Sequence, residues 1–183
     1  TLGRMAARNL APMRIGIDAQ FVLYETRGIG RYIIHLVKGL AQADSENQYW
    51  IYGPPAVFSH LESVANFRVR EVGSLPYPVW EQLLLPQWVV RDQLDLLHCP
   101  ANTAPLFMPG RTRLLITLHD VMYLLPPSVL PRQRTRRQRL GNLYRRWIVP
   151  TAVRRAAMVL AVSEFTKRQA VEILHLNPAQ IRV

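Results

Sequence analysis

The chain has 183 residues, 49% of them hydrophobic and 19% charged, which suits one well-packed domain and argues against general disorder. Its one cysteine, Cys99, excludes an internal disulfide, and no apolar run reaches the roughly 18 residues that a membrane-spanning helix needs. The net charge of +11 indicates a polyanionic partner: nucleic acid, an anionic membrane surface or a phosphorylated substrate.

The first residues of the chain differ from the rest. Residues 1–12 show no hydrophobic periodicity, and we expect them to be a tag, an extension or a disordered arm. From Met13 onward the pattern is regular, so residues 13–183 form the predicted domain.

Strand and helix patterns alternate through the domain. Short apolar or alternating runs predict strands at residues 14–22, 48–52, 67–72, 94–98, 112–118 and 158–162, and residues 181–183 begin one more. Between them, the spacing of Ile33, Leu36, Val37 and Leu40 predicts a helix, and residues 79–90 predict one that is kinked at Pro86 or starts there. The alternation predicts an α/β fold, a Rossmann-like and mostly parallel sheet with helices on both faces.

A long basic helix is predicted over residues 132–157, weakened or bent by Gly141 and Pro150. It has no acidic residue between 132 and 155 and nine arginines there, at 132, 134, 136, 137, 139, 145, 146, 154 and 155. We expect its apolar residues to share one face: Leu140, Leu143, Tyr144, Trp147 and Ile148. The arginines form either a polyanion-binding surface or a solvated face.

The segment ETRGIGRYIIHLV, residues 25–37, joins the first strand to the first helix. A dinucleotide-binding loop would have a third glycine where Ile33 stands, and a P-loop would have a lysine and serine that are missing here. Gly28 and Gly30 still allow a ligand close to the backbone at a helix N-terminus. A plain turn and an anion site both remain open.

Polar residues follow the fourth and fifth strands, where ligands of parallel sheets bind. His119 and Asp120 end an apolar strand, and a histidine there could bind a hydroxyl or phosphate or act as a base. The alternative is a histidine held by a carbonyl, with Asp120 capping a turn. Asn102 either binds hydroxyls or satisfies its own backbone.

Other residues are assigned to the scaffold or excluded. His98 is expected at the buried end of its strand, and Ser163 as the cap of the last full helix. Glu81 either lies on a helix surface, which we favour, or lines a cleft. The five histidines and Cys99 lack metal-ligand spacing, so no metal site is expected. Ser128 and Ser163 lack the glycine-flanked turn of a nucleophilic serine.

Six segments in order resemble the N-terminal half of retaining glycosyltransferases of family 4: MRIGIDAQ, GIGRY, WEQLLLP, DLLHCPANTAPL, LITLHDVMYLLPP and AVSEFTKRQ. The resemblance covers about residues 13–183. It implies the GT-B fold, in which an acceptor-binding and a donor-binding Rossmann-like domain face each other. It also implies sugar transfer from a nucleotide-diphosphate sugar to a glycan or lipid-linked saccharide, with retention and without a metal or other cofactor.

The resemblance also implies roles for matching residues. Gly28, Gly30 and Arg31 would approach the donor diphosphate. His119 would contact the transferred sugar or stabilise the transition state, and Asp120 would orient groups beside it. The acceptor side of the cleft would include Asn102, Ser163, Phe165 and Thr166.

Basic and aromatic surfaces of such enzymes often contact anionic membranes, and the resemblance suggests this role for Arg136, Arg137, Arg145 and Arg146. It implies a cytoplasmic location, peripheral on the inner face of the cell membrane. The alternatives are a nucleic-acid-binding module, for which we find no motif and which we do not expect, and a non-catalytic interaction domain.

The family's donor-binding features, a basic pair and a Glu-x7-Glu motif, are absent from this sequence. The sequence ends at NPAQIRV, where the family would enter its interdomain linker. We therefore expect a chain that lacks the donor-binding domain and is inactive by itself.

Overall fold

The computed structural model describes residues 11–24, 28–73, 75–126 and 135–183. They form a seven-stranded sheet in the order β3-β2-β1-β4-β5-β6-β7, and every neighbouring pair is parallel. The strands are β1 Arg14–Asp18, β2 Gln48–Tyr52, β3 Phe67–Arg70, β4 Leu96–Cys99, β5 Arg113–Leu118, β6 Met158–Ala161 and β7 Ile181–Arg182. This Rossmann-like α/β architecture confirms the predicted fold class. Residues 1–10 of the expected N-terminal arm lie outside the described part.

The helices are α1 Ile29–Ala43, α2 Pro55–Phe58, α3 Tyr77–Val79, α4 Leu85–Arg91, α5 Arg136–Arg155 and α6 Glu164–Leu174. They cover two faces of the sheet with separate apolar clusters. One cluster joins Ile33 and Val37 of α1 to Ile17 and Ile51. The other places Trp80, Leu97, Ile116 and Val149 together. The sheet is buried on both sides, as its continuous apolar strands require.

The first strand is shorter than the predicted 14–22. It ends at Asp18, whose Oδ1 accepts the backbone N–H of Gln20 at 3.2 Å, and a 3₁₀ helix then spans Gln20–Leu23. A side-chain acceptor two residues back favours a turn over an extended chain. The apolar residues after Asp18 therefore return to the core within a helical turn.

The segment around Pro86 bends without breaking. A π-helical turn, Trp80–Leu84, joins α3 to α4, and the Leu85 N–H donates to the Trp80 carbonyl, five residues back. Pro86 is the second residue of α4, where its missing N–H costs little. The predicted kink corresponds to this π-helical turn, which contains Glu81.

Helix α5 packs on the sheet with its C-terminal half only. The buried residues are Ile148, Val149, Ala152 and Val153, whereas Leu140, Leu143 and Trp147 are exposed. The prediction that the apolar residues of this helix share one face is therefore wrong. The helix begins with a capping box between Thr135 and Gln138 and runs through Pro150 without interruption. Arg132 and Arg134, and the side chain of Arg137, lie outside the described residues.

Candidate functional site at the carboxyl edge of the sheet

The loops after β1, β4, β5 and β6 meet at one edge of the sheet. Strands β1 and β4 are neighbours, and the chain leaves β1 toward β2 but continues from β4 toward β5. In open α/β sheets, ligands usually bind at such a reversal, beyond the carboxyl ends of the two strands.

His119 lies at this edge, half-buried at the end of β5. Its Nε2 lies 2.8 Å from the carbonyl oxygen of Pro100, which only accepts, so Nε2 carries the proton and Nδ1 keeps its lone pair. Burial lowers the pKa of His119 below its usual range, with smaller opposing effects of the Pro100 carbonyl and of Asp120. The imidazole is thus a neutral, oriented hydrogen-bond acceptor near pH 7.

Asn102 ties the loop after β4 to His119. It is buried, adopts φ of 70°, and accepts the backbone N–H of His119 on Oδ1 at 2.7 Å. Its own N–H donates to the Thr117 carbonyl at 3.1 Å. The side chain positions the loop that carries His119, a wider role than the satisfaction of its own backbone.

Substitutions of Asn102 separate two contributions to stability: its hydrogen bond to His119 and its positive φ. Asn102→Gly removes the bond to His119 and should lower the free energy of unfolding by about 1–3 kcal/mol. Asn102→Ala should cost about 1 kcal/mol more, because alanine tolerates positive φ poorly. Urea unfolding of both variants measures this, with Ala179→Gly, at an exposed residue, as the control for glycine entropy. Equal stability of the wild type and Asn102→Gly would contradict the positioning role.

Helix α6 closes the edge from β6. The Ser163 side chain accepts the N–H of Thr166 at 3.1 Å, which confirms its predicted cap, and Thr166 Oγ1 donates to the His119 carbonyl at 3.2 Å. Phe165 is exposed. The structure therefore brings His119, Asn102, Ser163 and Thr166 into one connected group, with Phe165 beside it.

Gly28 and Gly30, at the start of α1, lie near the group around His119. Gly28 adopts φ of 54° as the N-cap of α1 and supplies no side chain, and Gly30 is buried in the first turn. Tyr32 in that turn packs edge-on against His119, with ring centroids 4.9 Å apart. The N-terminus of α1 thus lies beside His119. Arg31 is exposed and its Nε lies 3.4 Å from His35 Nε2, and residues 25–27 are outside the described part.

Asp120 accepts the backbone N–H of Met122 on Oδ1 at 3.1 Å. It therefore starts the turn that follows β5, as one of the two sequence interpretations predicted. Its proposed orienting role in catalysis stays a prediction. His98 is buried and bonded to Thr117 Oγ1 at 2.8 Å, which confirms its scaffold role, and burial lowers its pKa to about 4.

Glu81 is fully buried, so the expected surface position is wrong. Three side chains donate to its carboxylate: Thr103, Gln82 at 2.8 Å, and Tyr144 of α5. Burial raises its pKa to about 7 despite these bonds. An acidic residue within the apolar run VWEQLLL was the available sign of a buried, bonded carboxyl.

Asp18 is a second buried carboxyl that the sequence analysis did not single out. It ends β1 and accepts from Tyr77 Oη and Trp80 Nε1, both at 2.9 Å. Burial raises its pKa, opposed by these bonds. Its position at the end of the first strand was the signal. Both carboxylates are enclosed by protein donors, so they organise the edge and do not reach a ligand directly.

Several arginines of α5 hold the backbone of neighbouring loops. Arg146 donates to the Leu125 carbonyl at 3.2 Å, Arg155 to that of Leu106, and Arg154 to that of Leu174 at 3.5 Å. Arg136 and Arg139 are exposed beside Leu140, Leu143 and Trp147. The basic segment thus divides into anchoring arginines and an outward-facing basic and apolar stripe.

The described part of the chain contains neither a metal-binding cluster nor a membrane-spanning helix. Among the described residues, no three His, Cys, Asp or Glu side chains are placed to share a metal ion. Within the same ranges, no helix is both long and apolar enough to cross a bilayer.

The parallel sheet and the polar group at its carboxyl edge define a Rossmann-like ligand-binding domain. The model of Glycosyltransferase Family 4 matches residues 26–183. The chain belongs to this family, and its fold is that of the N-terminal half of a GT-B enzyme, as the six ordered segments predicted.

Individual relatives agree with this assignment. The chain is 24% identical over 178 residues to an Escherichia coli O-antigen chain mannosyltransferase B, covering 89% of this chain and 44% of that protein. Anabaena Alr3699/HepE, solved with UDP and glucose, is similar with a TM-score of 0.55 at 19% identity, over 93% of this chain and 44% of the other. A Rickettsia africae glycosyltransferase is similar with a TM-score of 0.50 at 15% identity, over 95% of this chain and 43% of that one. The chain spans less than half the length of these relatives.

Proposed function

We propose that this domain forms the acceptor-side half of a sugar-transfer cleft that a donor-binding domain closes. The supporting observation is His119, held by Pro100, Asn102 and Thr166 beside the N-terminus of α1. In this proposal His119 Nδ1 accepts a hydrogen bond from a hydroxyl group of the transferred sugar. Gly28, Gly30 and Arg31 face the donor diphosphate, and α1 contributes the positive end of its dipole.

The proposed reaction moves a sugar from a nucleotide-diphosphate sugar to a saccharide or lipid-linked acceptor, with retention of configuration and with no metal or other cofactor. Both activity and partners belong to the whole protein in this proposal, and the residues described above supply only one side of the cleft. The relative named for O-antigen chain mannosyl transfer supports a polysaccharide-building role.

Product formation tests the proposed function. The natural gene product is incubated with UDP-glucose, GDP-mannose and related nucleotide sugars, together with prenyl-linked saccharides as acceptors. Mass spectrometry should detect an acceptor extended by one sugar, whose anomeric configuration NMR then assigns. Turnover unaffected by EDTA would agree with metal-free transfer. No extension by a folded protein with any donor and acceptor would contradict the proposal.

We further propose that the stripe on α5 docks on an anionic membrane at the cytoplasmic surface. Leu140, Leu143 and Trp147 recur at one helix face with 67%, 52% and 74% of their surface exposed, and Arg136 lies one turn before them. Apolar side chains flanked by arginines are typical of helices that lie in the headgroup region. Arg145 would also be near the docked surface, whereas Arg146 is engaged by the Leu125 carbonyl and the side chain of Arg137 is outside the described residues.

Replacing both Leu143 and Trp147 with alanine should weaken binding to phosphatidylglycerol vesicles by about 10-fold or more, because two apolar anchors are lost. Vesicle co-sedimentation of this chain measures the effect. Phe107→Ala removes an equally exposed aromatic side chain elsewhere and is the control. Equal binding of the double variant would refute the docking surface. Tight, steeply salt-dependent binding to duplex DNA would instead favour the nucleic-acid hypothesis.

A further inference from the structure

A cavity of about 840 Å³ opens beside the N-terminal half of α5. Its wall includes Phe21 and Tyr24 after β1, Tyr77 of α3, and Thr103 after β4. Leu140, Gly141, Tyr144 and Arg145 of α5 complete one side. A cavity of this size is within the range of small-molecule sites.

The hydroxyl groups of the wall donate to protein acceptors. Tyr24 Oη donates to the Leu75 carbonyl and Tyr77 Oη to Asp18. Thr103 and Tyr144 both donate to buried Glu81. A saccharide would need such groups as hydrogen-bond partners. Because these donors are already engaged, the cavity offers mainly apolar surface, and Gln138 and Arg145 supply further polar groups in the wall.

The aromatic part of the wall is built as a unit. Phe21 and Tyr24 both pack against Tyr77, with centroids 5.7 and 6.1 Å apart and rings nearly perpendicular. Edge-to-face packing of this kind fixes the ring positions. Asp18 and Glu81 also support the wall from behind, through their bonds to Tyr77, Thr103 and Tyr144.

Arg145 places a positive charge in this mainly apolar wall. Its Nη1 lies 3.3 Å from Asn142 Oδ1, and the remaining guanidinium donors allow an anion to bind as well. Leu140 belongs both to the cavity and to the exposed stripe of α5. The opening thus adjoins the surface proposed to meet the membrane. A ligand that fits has an apolar chain and an anionic group where the chain ends.

We propose that this cavity binds the apolar chain of a lipid-linked phosphate acceptor next to its phosphate, which Arg145 contacts. The proposal rests on the proposed function and specifies its acceptor class. The lipid enters from the α5 stripe, and its phosphate stays at the mouth of the cavity. The saccharide beyond the phosphate is then free to reach the carboxyl edge of the sheet.

Filling the cavity next to Arg145 tests the proposal. A Cβ added at Gly141 meets only Arg145 Nη1, at 3.6 Å, and one at Gly39 of α1 meets nothing within 4 Å. Gly141→Leu should weaken binding of farnesyl phosphate to this chain by about 10-fold or more, measured by calorimetry, whereas Gly39→Leu should bind like the wild type. Thermal unfolding verifies that both variants fold, and Gly141→Ala gives a smaller change if leucine is not tolerated.

Related ligands show which part of the lipid phosphate the cavity recognises, the apolar chain or the phosphate. Farnesol should bind more weakly than farnesyl phosphate, and Arg145→Gln should remove most of that difference. Inorganic phosphate should not displace the lipid. Unchanged binding by both Gly141 variants, or displacement by a soluble oligosaccharide, would overturn the proposal. Lipid binding by a protein that transfers no sugar would refute the proposed function and leave this site standing.

Discussion

His119→Ala is expected to lower kcat/KM for sugar transfer by the natural gene product by about 100-fold or more, the usual cost of losing a positioned polar group at a reacting centre. The neutral imidazole is fixed by its bond to the Pro100 carbonyl, which leaves Nδ1 as the acceptor. Steady-state kinetics with saturating acceptor measure the loss. His60→Ala, at an exposed histidine outside the edge, is the matched control.

Two further substitutions separate the nitrogens of His119. Asparagine places an oxygen near the position of Nδ1, whereas glutamine can keep the bond to Pro100 but offers no acceptor at Nδ1. If Nδ1 contacts the sugar, His119→Asn should retain more activity than His119→Gln. Activity should also fall in acid as the imidazole protonates, below the usual histidine range because burial lowers this pKa. Wild-type rates for His119→Ala would end the proposed role.

Glu81 should make stability fall as pH rises. Its pKa is raised from 4.5 in the unfolded chain to about 7 in the folded protein. Below pH 4.5 both states are protonated; between pH 4.5 and 7 only the unfolded state loses its proton, so the folded state is disfavoured. The free energy of unfolding should decrease by about 2–3 kcal/mol from pH 5 to pH 8 on this account alone.

Glu81→Gln should remove this contribution. Urea unfolding at pH 5 and pH 8 compares the variant with the wild type, and Glu172→Gln, on the exposed face of α6, is the control. Asp18 contributes with the same sign, whereas His98, whose pKa is lowered to about 4, stabilises the fold as pH rises toward 6.5. His98 contributes equally to variant and wild type, so the difference between their pH slopes reports Glu81 together with its charge coupling to Asp18. Parallel slopes would contradict the assignment.

The sequence predicted the sheet well because its central strands are buried on both faces. Such strands appear as short apolar runs, and a polar residue directly after one is a good sign of a ligand edge. His119 and Asn102 were recognised in this way. The end of β1 was misplaced because one side chain, Asp18, turns the backbone where composition still favours a strand.

Long-range contacts explain what the sequence did not show. Glu81 is bonded to Thr103 and Tyr144, which lie 22 and 63 residues further along the chain, and no local pattern reveals such partners. The face of α5 was misassigned because helical periodicity cannot distinguish a core-facing stripe from an exposed one. Trp147 and Leu143 fit the helical spacing of a buried face, yet only the C-terminal half of the helix reaches the sheet.

The central claim is that the carboxyl edge of the sheet faces the reacting sugar. Hydrogen–deuterium exchange of the natural gene product, with and without a nucleotide sugar that it turns over, tests this most directly. We predict slower exchange in residues 100–104, 119–124 and 163–167 at the carboxyl edge. Exchange at the opposite edge, in residues 44–47, 92–95 and 110–113, should not change. Protection confined to that opposite edge, or absent from the carboxyl edge while the nucleotide sugar is bound, would contradict the claim.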